Sequence, residues 1–333
     1  MWQVFVLMTK MLGTRDVYGD VLIELGTENK DIVVLDADLA SSTRTAKFKK
    51  KFPDRFFNMG VSEQDMMGTA AGFASAGKIP FASTFAIFAT GRAWEQVRQS
   101  ICLPKMNVKI VATHGGITVG EDGASHQSTE DIALMRVLPN MTVIVPADGY
   151  EAGAAIKAAV KYRGPVFIRL SREKFPVLYP ENCEFEIGKA KVHSIGEDAT
   201  IISCGLMVHM SLEAAEELKK DGLNVGVINM STIKPLDTDA VLNAARNSGA
   251  IVTAEEHSII GGLGGAVAEV ISENEPVPLK RVGINDKFGM SGSTADLLKH
   301  YGLTKDAIKE AVHSIVKMKG KYSVNHKINT RLS

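Results

Sequence analysis

The sequence predicts an α/β protein made of two doubly wound domains with mainly parallel sheets. Short apolar runs recur along the chain and alternate with longer stretches of helical period, the signature of a parallel sheet with crossover helices. One unpatterned segment, REKFPVLYPENCEFEIGK at 172–189, divides this alternation into two series. The length of 333 residues, with 45% hydrophobic and 23% charged side chains, suits two domains of ordinary globular composition.

The opening run MWQVFVLM has no basic residue before it and is too short to span a bilayer, so residues 1–10 are expected to be a poorly ordered leader. The first domain is expected over 11–171. Helical pattern begins near Thr14, and strands are expected at 31–38, 79–84, 107–113, 142–148 and 165–171. Helices are expected at Glu63–Ala76, Arg92–Leu103, Ser128–Val137 and Tyr150–Tyr162, with Ser128 and Asp131 as a capping box. The linker is 172–189. The second domain, 190–318, repeats the pattern with strands at 199–205, 224–230, 250–256 and 278–284. Its helices span Val208–Asp221, start at Asp237 and Leu263, and end with Thr294–His300 and Thr304–Val316. The tail 319–333 is polar and basic and is expected to fray.

Lys plus Arg and Asp plus Glu both number 38, which excludes a strongly basic nucleic-acid binder. No apolar stretch is long enough for a membrane span. Cys102, Cys183 and Cys204 are far apart, so neither a disulfide framework nor a cysteine zinc site is expected, and a reducing, cytoplasmic setting fits.

Two glycine-rich segments are decoys. GFASAGK at 72–78 resembles a phosphate loop, but Ile79 replaces the hydroxyl residue and a helix precedes it where a strand is needed; Gly77 reads as a helix C-cap. GGLGG at 261–265 lacks the third dinucleotide-fingerprint glycine, because Val267 stands there, and reads as close helix–sheet packing. Three segments carry candidate chemistry. The loop THGGITVGEDGASHQSTED, 113–131, follows a strand and holds the histidines His114 and His126 and the acids Glu121 and Asp122 where a doubly wound sheet binds ligands. Glu63 falls in the first turn of a helix, where the helix dipole alone accounts for it. Phe85 and Phe88, three apart after a strand, are by themselves a core-packing pattern.

Taken together, GVSEQDM (60–66), STFAIF (83–88), ATHGGITVGEDGASHQ (112–127) and RLSREKFP (169–176) stand in the order and spacing of the C-terminal half of transketolase, and the chain resembles that half over about Thr14–Val316. The resemblance implies a pyrimidine-binding domain, a transketolase C-terminal domain, and thiamine diphosphate as cofactor. It makes Glu63 the residue bonded to N1′ of the cofactor's aminopyrimidine, with Phe85 and Phe88 against that ring and Asp38 near the thiazolium side. It gives His114, His126 and Asp122 to the substrate, and Arg15, Ser42 and Arg172 to the sugar phosphate. Departures from the family pattern are Gly91 in place of a third aromatic, His114-Gly115 in place of a His-Asp pair, and Ala124 in place of proline.

The family's G-D-G diphosphate and metal motif does not occur in the chain. The resemblance therefore implies a split enzyme, whose N-terminal subunit carries the Mg2+ or Ca2+ ligands. The assembly would be a heterotetramer, with self-association of this chain through a two-fold interface. The implied reaction is transfer of a two-carbon ketol unit between phosphosugars in the non-oxidative pentose phosphate pathway. Alternatives are a β-chain of the 2-oxo acid dehydrogenase or deoxyxylulose phosphate synthase type, or a non-catalytic assembly partner.

Overall fold

A computed structural model describes residues 10–329. The expected leader, apart from Lys10, and the last four residues lie outside the described range. The chain builds two mixed, mostly parallel sheets with flanking helices.

In chain order the strands are β1 (Met11–Gly13), β2 (Ile32–Asp36), β3 (Phe56–Asn58), β4 (Ile79–Phe85), β5 (Lys109–Thr113), β6 (Thr142–Ile144), β7 (Val166–Arg169), β8 (Lys174–Pro176), β9 (Lys191–Ser194), β10 (Ala199–Ser203), β11 (Val225–Asn229), β12 (Thr232–Lys234), β13 (Ile251–Ser258) and β14 (Leu279–Ile284). The first sheet has the order β12-β6-β7-β5-β4-β2-β3 and the second β14-β13-β10-β11-β9. All pairs are parallel except the edges, β12 on β6 and β9 on β11. The strands β2, β5, β7 and β10 are buried at every position, which is why they read as continuous apolar runs rather than alternating ones.

Successive side chains of these strands feed opposite faces. Ile32 and Val34 pack with Tyr18, Leu22 and Ile156 beneath the first sheet. Val33 and Leu35 pack on the other face with Met66, Met67 and Ile101. That second cluster continues through Val143 to Ile202, Ile228, Val241 and Leu263, so the two sheets share one apolar core. The outer face of the second sheet packs Ile201, Val227 and Val252 against the helices Met207–Lys220 and Lys305–Asn329.

The structure corrects several expectations. Strand β12 lies in the stretch assigned to the second domain, where no strand is expected, and completes the edge of the first sheet. The expected linker contains β8, which pairs antiparallel with β1. The helix expected at Ser128–Val137 is only Asp131–Arg136, with Glu130 at its N-cap. Asp131 is buried against Arg169 and does not complete a capping box with Ser128. The final helix continues to Asn329, well past the expected end at Val316. Gly77 follows the helix Glu63–Ser75 in a left-handed conformation, φ 85°, as a C-cap glycine does. At the second decoy, Glu255 accepts hydrogen bonds from Leu263 N and Gly264 N, both at 2.7 Å. That helix terminus is therefore filled by the protein's own carboxylate. The three cysteines are free, and among the described residues no helix is long and apolar enough to cross a membrane.

Candidate functional site

The candidate residues gather at the carboxyl ends of the first sheet's strands, where the crevice of a doubly wound sheet lies. Asp38 follows β2, Glu63 follows β3, Phe85 ends β4, His114 follows β5 and Arg172 follows β7.

Glu63 opens the helix Glu63–Ser75 and is 1% exposed. Ser62 is the N-cap residue but its hydroxyl makes no capping bond. Both carboxylate oxygens of Glu63 accept from Arg92 Nη1 at 3.0 Å. Glu63 is thus a buried, ion-paired carboxylate rather than the solvated dipole partner its local sequence allowed. The expected helix Arg92–Leu103 does not form as such. Phe88–Arg92 and Val97–Cys102 are π-helical, with one α-turn, Trp94–Gln96, between them. Wide turns of this kind recur at functional sites. A Cβ at Gly91 would touch only Ile87, at 3.9 Å, so the place of the missing third aromatic is open.

The Arg92 guanidinium lies 4.5 Å from the centre of the Phe88 ring. Phe88 stacks on Phe85 at 5.8 Å and 14°. His114 stacks on Phe85 at 3.7 Å, and His126 meets Phe88 edge-on at 5.5 Å. A stacked aromatic pair beside a buried carboxylate fits a planar nitrogen heterocycle, which needs an apolar slot for its faces and a carboxyl group to share a proton with a ring nitrogen. These residues therefore fit the aminopyrimidine of thiamine diphosphate. Among the described residues no group of three or more His, Cys, Asp or Glu is arranged to hold a metal ion.

His114 is 3% exposed and left-handed, φ 61°. Its Nε2 is 3.2 Å from Arg15 Nη1 and its Nδ1 is 2.7 Å from Thr113 Oγ1. A guanidinium can only donate, so the network assigns Nε2 as acceptor and the proton to Nδ1. Burial, then the positive charges of Arg15 and Arg172, lower its pKa to about 3. The ring is consequently a neutral hydrogen-bonding group at neutral pH.

The rim is cationic. Arg15 Nη1 also donates to the Ser42 carbonyl at 3.1 Å, so Ser42 contributes its backbone here, not its hydroxyl. Arg15 Nε is buried without a partner. Arg172 Nη1 donates to the Val119 carbonyl and, at 3.2 Å, to Asp122. Arg44, held by Asp16 at 2.8 Å, adds a further positive charge acting on His114. The turn carrying Ser42 and Arg44 is fixed by buried Asp36, which accepts from Leu39 N, Thr43 Oγ1 and Thr45 Oγ1 at 2.6–2.8 Å. Asp38 stands apart from the aromatic cluster, exposed and bonded to Asn58 Nδ2 at 2.8 Å.

Sequence reasoning missed Arg92, Arg44 and Gln127. Arg92 lies four residues beyond Phe88, a helical spacing that was the only available signal. Nothing local links it to a carboxylate 29 positions earlier.

The chain matches two family models, the transketolase pyrimidine-binding domain at 10–177 and the transketolase C-terminal domain at 188–308. It is 53% identical, over 90% of its own length and 95% of the other's, to a protein of Methanocaldococcus jannaschii named as a transketolase C-terminal section. It is 44% identical to a 6-deoxy-6-sulfo-D-fructose transketolase subunit of Clostridium sp. strain MSTE9, covering 92% of this chain and 95% of that one. A solved structure of a split-gene transketolase, described as an inactive β4 tetramer, superposes with TM-score 0.87 at 52% identity over 92% of this chain and 99% of that chain. Two matched domain models, a close relative and a near-complete structural match agree: the chain belongs to the transketolase family, as its pyrimidine-binding and C-terminal domains.

Proposed function

We propose that this chain is one half of a two-subunit transketolase. With an N-terminal partner that carries the diphosphate site and the Mg2+ or Ca2+ ligands, it would transfer a two-carbon ketol unit from a ketose phosphate to an aldose phosphate, as in the non-oxidative pentose phosphate pathway. One observation carries the reading: a continuous run of contacts joins a buried carboxylate, a stacked aromatic pair, a neutral histidine and an arginine rim at one end of the first sheet. Thiamine diphosphate, when bound, supplies the electron sink for a carbanion beside a carbonyl.

The chain's own residues would bind, orient and move protons around that centre. Glu63 would hydrogen-bond N1′ of the aminopyrimidine and share a proton with that nitrogen, with Phe85 and Phe88 against the ring and Asp38 toward the thiazolium side. For this, Arg92 must yield at least part of its hold on Glu63. His114, neutral and fixed in its tautomer, would hydrogen-bond a sugar hydroxyl, and His126 and Asp122 would position the hydroxyls near the reacting carbon. Arg15, Arg172 and the Ser42 turn would hold the terminal phosphate. The three free cysteines suit a reducing, cytoplasmic setting.

The diphosphate's concentrated negative charge calls for a divalent ion held by oxygen ligands, which this reading assigns to the partner. The test is calorimetric titration of thiamine diphosphate and Mg2+ against the chain alone, then against its mixture with a candidate N-terminal subunit. Weak binding and no transfer alone, followed by cofactor binding and ketol transfer in a heterotetramer, is expected. Full transfer by the isolated chain would refute the two-subunit reading.

Arg172→Ala is expected to weaken phosphorylated sugars by roughly tenfold to a hundredfold, the loss of one charge-assisted contact. Hydroxypyruvate, a donor without phosphate, should be nearly unaffected. Equal losses in kcat/KM for both donors would remove Arg172 from the phosphate site.

A further inference from the structure

The loop carrying Asp122 and His126 rests on the second sheet's domain as well as on its own. Thr118 N donates to Glu256 Oε1 at 2.8 Å, from β13. A Cβ on Gly123 would lie 2.5 Å from Ser291 Oγ. The centre of this contact is Gln127, 3% exposed. Its amide nitrogen, which carries two hydrogens, lies 2.9 Å from Met290 O, 3.1 Å from Gly120 O and 3.3 Å from Ile117 O, so one N–H is shared between two carbonyls. It therefore ties both ends of the loop to one another and to the segment 288–291, 163 residues away in sequence. The fit is close: a Cβ on Gly289 would come within 1.7 Å of Gln127 Oε1. Gly289 has no positive φ, so the glycine is required by that approach and not by its backbone conformation.

We propose that Gln127 is a positioning residue through which the C-terminal domain sets the placement of Asp122 and His126 against the substrate. Gln127 is next in sequence to His126, and Gly120, one of its acceptors, begins the short turn Gly120–Asp122. A shift of Gln127 therefore moves both substrate-facing side chains. Neither Glu63 nor the Phe85–Phe88 pair lies on this loop, so the brace reaches the cofactor slot through the edge contacts of His126 with Phe85 and Phe88 and not through a residue of the slot itself. The inference rests on the transketolase reading for its kinetic consequence, but not for its structural one.

Two variants test it from opposite sides, Gln127→Ala on the loop and Gly289→Ala on the C-terminal domain. In the chain alone, hydrogen exchange at the amides of 118–127 should quicken in both, while exchange in Glu63–Ser75 stays unchanged. In the assembled enzyme both should lower kcat/KM for sugar substrates on the order of 10²-fold, the scale of a 1 Å misplacement. The cofactor's Kd should stay within about twofold, since a charged or stacking contact is not removed. Gln127→Asn, which keeps the amide, should recover part of the loss. Unchanged exchange at 118–127, or equal damage to cofactor affinity and sugar turnover, would overturn the proposal. If wild-type enzyme transfers no ketol unit while the exchange result holds, the brace stands and the functional reading fails instead.

Discussion

Glu63→Gln is expected to lower turnover of the assembled enzyme by roughly 10²–10⁴-fold, the range for losing a positioned proton-transfer group, while leaving the fold in place. The two effects separate for a geometric reason. Glutamine keeps the volume of a side chain that is 1% exposed, so no cavity opens. Its lost partner, Arg92, is half exposed and can return to water. A first-turn glutamate acting only on the helix dipole contributes about 0.3–1 kcal/mol, and its removal would not touch chemistry. The measurement is kcat by a coupled transfer assay beside the unfolding midpoint in urea. Near wild-type turnover, with a small change in midpoint, would return Glu63 to that purely structural role.

Arg92 also shows why part of the site escaped the sequence. The apolar runs that became β2, β5, β7 and β10 were legible because burial on both faces leaves a continuous signature. The loop 113–131 was legible because it concentrates chemistry in one stretch of chain. The pairs Arg92–Glu63 and Gln127–Met290 join residues 29 and 163 positions apart, and no local period encodes such contacts. Strands β3, β8 and β12 are three residues each, too short for an alternation to register. Strand β12 is stabilised by pairing with β6 across the division between the two series, a tertiary effect that outweighs local pattern. The missed π-helical turns have the same origin: Phe88–Arg92 carries no sequence signal that distinguishes it from an ordinary helix, and it ends on the arginine that pairs with Glu63.

Arg169→Leu is expected to destabilise the chain by about 3–5 kcal/mol, the cost of leaving buried charges without their partner. Arg169 ends β7 directly beneath the active loop, where a Cβ on Gly115 would be 2.5 Å from its Nε. Its side chain is 6% exposed. Nε donates to Asp131 Oδ2 at 2.7 Å and Nη2 to the Glu256 carbonyl at 2.8 Å, with the Glu256 carboxylate 3.8 Å away. Burial alone would weaken its charge, but Asp131 and Glu256 more than offset that and raise its pKa. Burial already raises the Glu256 carboxyl, with Arg169 opposing it. Without Arg169 that opposition is gone, and the folded-state pKa of the acid rises further above its unfolded value. A group raised in this way favours the folded state at low pH and loses that contribution as pH rises. The deficit in the variant should therefore grow between pH 5 and pH 8, read as the difference in unfolding free energy from wild type at each pH. Replacing Asp131 by leucine as well should recover part of the loss, because it removes one of the two stranded acids. A deficit below about 1 kcal/mol at both pH values would mean that water reaches this cluster, and that Arg169 does not hold Asp131 and Glu256 in a dry contact between the first sheet and the second.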